Sequence, residues 1–167
     1  MQIGESILLF SKRPVRVYAD TTVFGGIADP EFAKASRLFF ERVQTGRFSF
    51  VLSGLTEQEI AVGPQQVQEL LDQSLPSAEI VEITAEALDL QQAYIDAGFV
   101  RAKSHNDALH VAVATVQRCA LIVSWNFRDI VNFRKIPLYN AVNGMQGYGN
   151  LAIYSPLEVT KDDDETV

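Results

Sequence analysis

The amino-acid sequence predicts an α/β protein with a central, mainly parallel sheet. Three observations carry the prediction. β-prone segments alternate with segments of helical apolar spacing along most of the chain, the order that builds parallel strands joined by helices. The run Leu121-Ile122-Val123 is continuously apolar, without the alternation of a half-exposed strand, as expected where helices cover both faces of a sheet. The segment 106–118 carries Ala108, Leu109, Val111, Ala112, Val113, Ala114 and Val116, and a helix apolar nearly all round is a buried one.

In chain order, Val15-Arg16-Val17-Tyr18-Ala19 is a β-prone segment, followed by Asp20-Thr21-Thr22 and a Gly25-Gly26 loop. Asp29-Pro30-Glu31 reads as a helix start, with Asp29 as cap and Pro30 at the first helical position. Phe32, Ala35, Phe39, Phe40 and Val43 supply that helix's apolar face, and Gly46 its stop. Phe48–Leu52 is a second strand. Ser53–Ala61 is a short helix broken at Gly63-Pro64, and helix resumes over Gln65–Gln73. Glu79–Ile83 is a third strand. A helix runs from Thr84 to Ala97, with Gly98 beyond its end. After the buried helix and the strand Leu121–Ser124, Asp129–Phe133 is predicted as a helical turn, 135–140 as a short edge segment, and Ala152-Ile153-Tyr154 as a last edge strand.

The 167 residues fit one domain, placed at 15–157, with 1–14 expected to be a flexible leader and 158–167 a flexible acidic tail. Apolar residues at 47% and charged residues at 21% are ordinary for a globular chain able to bury a core. The one cysteine, Cys119, lies in an apolar run and is expected to be a buried, reduced thiol, consistent with the cytoplasm. No run approaches the roughly 20 apolar residues of a membrane span, and Ile7-Leu8-Leu9-Phe10 is short for a secretory segment. The reading is a soluble, cytoplasmic protein. The net charge is −7, and setting aside Asp162, Asp163, Asp164 and Glu165 leaves −3. Bulk positive charge is therefore excluded as a means of holding nucleic acid. A nucleic-acid enzyme is not excluded, because bound cations reverse a local field.

Ligands of open α/β sheets bind beyond the carboxyl ends of the strands. Asp20 follows the first strand. Ser53, Glu57 and Glu59 follow the second. Asp107 opens the buried helix, and Asn126 and Asp129 follow the last core strand. Acids brought together from separate segments suit a hard divalent cation, and such a site activates water against a phosphodiester. Each residue also has a plain structural role open to it. Asp20, Asn126 and Asp129 can cap turns, Glu59 can be a charge on a solvated helix face, and Asp107 can be a first-turn acid favoured by the helix dipole.

The segments Val17-Tyr18-Ala19-Asp20-Thr21-Thr22-Val23, Thr56-Glu57-Gln58-Glu59-Ile60, Asn106-Asp107-Ala108-Leu109-His110-Val111-Ala112 and Ser124-Trp125-Asn126-Phe127-Arg128-Asp129-Ile130 resemble, in order, the four motifs of PIN-domain proteins. More narrowly they resemble the VapC-like toxin nucleases of type II toxin–antitoxin pairs. The resemblance implies a three-layer α/β/α fold and a divalent-metal-dependent endoribonuclease that uses Mg²⁺ or Mn²⁺ on an RNA substrate. It also implies an antitoxin partner and a tendency to form homodimers. By motif position, Asp20 and Asp107 would bind metal directly, and Glu59 directly or through water. Asn126 and Asp129 would complete the outer shell and orient the attacking water. Thr21 and Ser124 hydroxyls would bond to the acids or to a phosphate. Position 126 is an amide where many relatives have an acid, which weakens a second metal. It keeps open the alternative of a catalytically weak or inactive PIN-fold module that binds RNA or protein.

Other signals are set aside. His105 and His110 are five apart and face different ways on a helix, which disfavours zinc. Gly25-Gly26 lacks the pattern of a phosphate loop, and no serine sits in a Gly-x-Ser-x-Gly elbow. Asp20-Thr21-Thr22 has Thr22 where an aspartyl-phosphate phosphatase of the haloacid-dehalogenase type would carry its second acid. The phenylalanines at 32, 39, 40, 48 and 50 are assigned to the core, and Arg128, Arg134 and Lys135 are placed near the rim as candidate phosphate contacts.

Overall fold

Residues that alternate along the strands sort to the two faces of one sheet. The structure, a computed structural model, describes residues 14–161. Five strands, β1 (Val15–Ala19), β2 (Phe48–Ser53), β3 (Ala78–Val81), β4 (Leu121–Val123) and β5 (Ala152–Tyr154), pair in the order β3-β2-β1-β4-β5. Every pairing is parallel, with Val17 of β1 set against Phe50 of β2 on one side and Leu121 of β4 on the other. Parallel neighbours need long crossovers, and helices supply them: α1 (Thr21–Gly25), α2 (Ala33–Gln44), α3 (Gly54–Ala61), α4 (Gln65–Ser74), α5 (Ala85–Asp96), α6 (His105–Val116), α7 (Ile136–Met145) and α8 (Pro156–Val159).

Val17, Ala19, Phe50, Leu52 and Val123 pack on one face with Val23 and Phe24 of α1, Phe39 and Phe40 of α2, and Val67 and Leu71 of α4. Tyr18, Val51 and Ile122 pack on the other with Leu90 and Tyr94 of α5, the apolar run of α6, and Tyr139 and Val142 of α7. This is the three-layer α/β/α arrangement. Every residue of α6 from Ala108 to Thr115 is buried, which is why its sequence shows no polar face. The rings of Phe24, Phe39, Phe40 and Phe50 contact one another at centroid distances of 4.9–6.1 Å and tie α2 to β2. Burial of each such side chain stabilises by roughly 1.5–3 kcal/mol. Gly46 and Gly98, at φ 77° and 86°, take the left-handed conformation just beyond α2 and α5, where any side chain would be strained. Cys119 is buried, and that burial pushes its thiol up to about 11, so it is an inert packing residue.

The structure corrects several expectations. Thr21–Gly25 is a short helix, not a loop, because Asp20 caps it. Asp29 turns the chain instead of starting a helix. Its Oδ1 accepts from Glu31 N at 2.9 Å, its carbonyl accepts from Phe32 and Ala33, and α2 begins at Ala33. The turn expected at 129–133 lies at 127–130, closed by Ile130 and Val131 amides on the Asn126 carbonyl. The expected edge segment at 135–140 is instead the start of α7. Pro137 suits its first turn, where an N–H has no partner, and Tyr139, Val142 and Asn143 make its buried face. Phe32 is only half-buried, stacked on Trp125, and does not join the phenylalanine core. Packing also continues past residue 157. The Ser155 amide donates to Glu158 at the start of α8, Arg42 Nη1 donates to the Val159 carbonyl at 2.8 Å, and Thr160 is buried. Residues 1–13 and 162–167, which hold the rest of the expected leader and tail, lie outside the described residues.

The strand order places the site. From β1 the chain moves outward through β2 to β3, then returns to lay β4 against the other side of β1. The carboxyl ends of β1 and β4 thus flank the topological switch point, where α/β sheets leave a crevice.

Candidate acidic site at the carboxyl end of the sheet

Asp20 ends β1 at this crevice. It is 1% exposed and caps α1, accepting at Oδ1 from Thr22 N at 3.1 Å and Thr22 Oγ1 at 2.6 Å. Its Oδ2 accepts from Ser124 Oγ, just beyond β4, at 2.7 Å. Burial raises its pKa above the ordinary carboxylate value. The charge of His110 and the Thr22 and Ser124 hydrogen bonds oppose that rise without cancelling it, and Glu59 adds to it.

Glu59, in α3, is held from behind. Its Oε1 lies 2.6 Å from His110 Nε2, while His110 Nδ1 lies 2.7 Å from Tyr18 OH and Tyr18 OH lies 2.8 Å from Ser53 Oγ. A carboxylate accepts, so Nε2 carries hydrogen. His110 Nδ1 bonds the Tyr18 hydroxyl, and that hydroxyl bonds Ser53 Oγ. Tyr18 is fully buried, and that burial pushes its phenol up, so it keeps its proton. The result is a four-residue buried chain from β2 through β1 and α6 to the Glu59 carboxylate.

Asp107 is in the first turn of α6 and is half-buried. Among the described residues its side chain has no hydrogen bond or ion pair. Burial first, and then the negative charges of Asp129 and Asp20, push it up to about 6; Glu59 adds to the rise and His110 opposes it. Four acids from four segments therefore share one field.

Asn126 and Asp129, expected in the outer shell, are held in the turn after β4. Asn126 Oδ1 accepts from the amides of Arg128 at 3.2 Å and Asp129 at 2.9 Å, capping the turn that carries Asp129. Asp129 Oδ1 accepts from Lys135 Nζ at 2.7 Å, and Oδ2 accepts from Arg101 Nη2 at 2.7 Å. Burial would raise its pKa, but the hydrogen bonds of Arg101, Lys135 and Ser104 and the Lys135 charge prevail and hold it down to about 2. Lys135 is therefore committed to Asp129 rather than free for a phosphate. Arg134 sits 5.7 Å from the centre of the Phe133 ring. The hydroxyl that orients Asp20 belongs to Thr22, whereas Thr21 Oγ1 is buried and has no partner among the described residues.

The sequence reading missed Thr22, Arg101 and the Ser53–Tyr18–His110 chain. A signal for Tyr18 was present: two residues before Asp20 along the strand, it shares the face on which Asp20 stands, and His110 is one turn from Asp107. Arg101 lies in a connection whose path no periodicity predicts.

The donor set is chemically suited to a hard divalent cation. Asp107 is an unpaired, partly buried carboxylate in a negative field, the state that such an ion relieves. Among the described residues, however, no three or more His, Cys, Asp or Glu side chains are grouped to hold an ion together. This geometry fits an ion carried by one or two carboxylates and several waters, which is the common habit of Mg²⁺.

No protein-family model matches the chain, and no curated protein matches it. Solved structures do. The chain matches VapBC2 from Rickettsia felis bound to a DNA fragment from its promoter with a TM-score of 0.57 and 16% identity, covering 84% of this chain and 98% of that one. It matches FitAcB from Neisseria gonorrhoeae with a TM-score of 0.54 and 13% identity over the same shares. A toxin–antitoxin complex from Klebsiella pneumoniae gives 0.52 and 16% over 68% of this chain and 88% of that one. Likeness at this identity is one of fold.

The chain has the PIN-domain fold. In this PIN fold the acids stand at the switch point between β1 and β4. No helix among the described residues is long and apolar enough to cross a membrane.

Proposed function

We propose that this protein is a divalent-metal-dependent nuclease of toxin type that hydrolyses RNA phosphodiester bonds. The observation that carries the reading is Asp107, an unpaired carboxyl beside the buried Asp20 in a field of four acids. A fold with no use for that field would have no reason to maintain the repulsion. The fold shared with solved toxin–antitoxin complexes supports the reading.

In this proposal Asp20 and Asp107 hold Mg²⁺ or Mn²⁺, with Glu59 binding directly or through water. The chemistry such an ion supplies is stabilisation of charge on the phosphodiester and activation of water. The chain's own residues prepare the place. Thr22 and Ser124 fix both oxygens of Asp20, and the buried His110 chain fixes Glu59. Asp129 pairs with Arg101 and Lys135, which lessens the negative charge at the rim. We further propose an antitoxin as protein partner, a homodimeric state and a cytoplasmic setting. The antitoxin is supported by the complexes the fold resembles, and the reducing compartment by a single buried thiol.

A second reading is a PIN-fold module that binds RNA or protein without cleaving. It is favoured by Asn126, whose amide oxygen is spent on turn amides. The deciding experiment is calorimetric Mn²⁺ titration of wild type, Asp20→Asn and Asp107→Asn, with RNA cleavage measured on the same samples. Loss of both together in the variants supports the nuclease. Absence of Mn²⁺ binding and of cleavage in the wild type moves the reading to the binding module.

A further inference from the structure

A shallow recess of about 320 Å³ opens on the far side of Thr22 from Asp20, lined by Thr22, Gly25, Gly26, Asp29, Phe32 and Trp125. We infer that it binds a nucleobase of the single-stranded nucleic acid whose backbone lies over the acids; the inference rests on the nuclease reading and names a substrate contact for it.

Continuity is the first argument. Thr22 belongs to both places. Its Oγ1 donates to Asp20 Oδ1 at 2.6 Å and accepts from Trp125 N at 2.8 Å. Thr22 thus joins the recess to the acid that would hold the metal.

The rings in and beside the recess are the second argument. Phe32 stacks on Trp125 with centroids 4.2 Å apart and planes 23° apart, and Phe127 stands 6.4 Å from Phe32 and 6.1 Å from Trp125. Phe127 is 46% exposed and offers ring surface to solvent beside Phe32 and Trp125. Exposed rings beside a polyanion track are the platforms on which single-stranded bases stack, whatever their identity.

The cluster is also rigid. Trp125 Nε1 donates to Ser36 Oγ at 2.8 Å, and a Cβ at position 26 would come within 2.6 Å of that nitrogen, so only glycine lets the indole seat there. A platform fixed before binding loses little freedom when a base arrives.

Polar groups complete the fit. Asp29 uses Oδ1 to take the Glu31 amide at 2.9 Å. Its Oδ2 has no partner among the described residues and can accept from an amino or imino N–H on a base edge. Arg128, beside Phe127, is exposed, and its guanidinium has no partner among the described residues, leaving a cation for an adjacent phosphate. A purely apolar protein segment would leave both charges unanswered, so a nucleotide is the better occupant.

Trp125 is the only tryptophan in the chain, so its emission reports on the recess without any need for turnover. The test titrates the full chain with short single-stranded RNA, and with a strand of equal length and charge that lacks bases. Ca²⁺ is supplied to neutralise the carboxylates. The base-bearing strand is expected to change the emission saturably and the abasic strand to leave it unchanged. Phe127→Ala, at an exposed position, is expected to weaken binding by roughly tenfold, the size of one lost base–aromatic stack. An equal response to both strands, or unaltered affinity in Phe127→Ala with its fold intact by circular dichroism, overturns the subsite. Cleavage by wild type with Mn²⁺, run in parallel, separates the two ideas. Cleavage without an emission response removes the subsite alone. A base-dependent response without cleavage keeps the subsite and removes the nuclease.

Discussion

Asp107 and Asp129 stand on one rim, each within the other's field, and the fold treats them in opposite ways. Asp129 is enclosed by Arg101 and Lys135 and held down to about 2, whereas Asp107 has no partner among the described residues and is pushed up to about 6. A structural acid is one whose charge the protein has already answered. An acid left unanswered at a crevice costs stability, and it is maintained where something outside the chain answers it. The difference separates the cap and anchor of the β4–α7 connection from the candidate metal ligands, although the two acids look alike in the sequence.

The largest expected effect tests the unanswered acid. Asp107→Asn should lower Mn²⁺ affinity and RNA cleavage by more than about 100-fold, since even the outer partners of a metal ligand are worth roughly 10–100-fold. The same variant should melt no lower than wild type without metal, because it removes a repulsion. If it lost both cleavage and stability, Asp107 would be structural and the contrast with Asp129 would collapse.

Asp129→Asn should do the reverse. Removing the carboxylate strands two cations, and the expected loss is about 2–3 kcal/mol, below the 3–5 kcal/mol of a fully buried pair because Arg101 is partly exposed. Denaturant unfolding measures it directly. A stable variant would mean that Asp129, too, is free for ligand chemistry.

The pH dependence sharpens the comparison because the two signs differ. Asp129, depressed from 3.8 to about 2, contributes stability that is present above about pH 4 and lost as the pH falls toward 2. The amount is about 2 kcal/mol. Asp107, raised from 3.8 to about 6, binds its proton more tightly folded than unfolded. It therefore adds stability as the pH falls from above 6 toward 4, about 1–2 kcal/mol once solvent screening is discounted. Metal-free protein should melt higher at pH 5 than at pH 7, and Asp107→Asn should reduce that rise, leaving only what the raised pKa of Asp20 contributes.

The smallest effect concerns Glu59. Tyr18→Phe removes one buried hydroxyl, leaves His110 Nδ1 without its partner, and should cost about 1–2 kcal/mol. If the chain positions Glu59, Mn²⁺ affinity should also fall, by less than about tenfold. An unchanged affinity with reduced stability would confine the chain to core packing.

Much of this protein was legible in its sequence. Alternating strands and helices, the all-apolar segment around Val111 and the unalternated Leu121–Val123 determined a covered parallel sheet, because burial on both faces leaves no polar register. Strand ends then determined where Asp20 and Asn126 had to lie. Short local chemistry was harder to read. Asp29-Pro30 carries every mark of a helix start, yet its side chain satisfies Glu31 in a turn of its own, and Ile136-Pro137 hides a helix behind a proline that suits its first turn.

Only the tertiary structure decided which acids are free. Asp107 and Asp129 differ because Arg101 and Lys135 arrive at one and not the other, from connections whose paths depend on how α5, α6 and α7 pack. The same packing decided that Thr22 rather than Thr21 orients Asp20, and that His110 backs Glu59. Periodicity reports which face of an element is buried. The charge state of a carboxylate is set within a few ångströms by groups from other elements, and no local pattern in the chain encodes those distances.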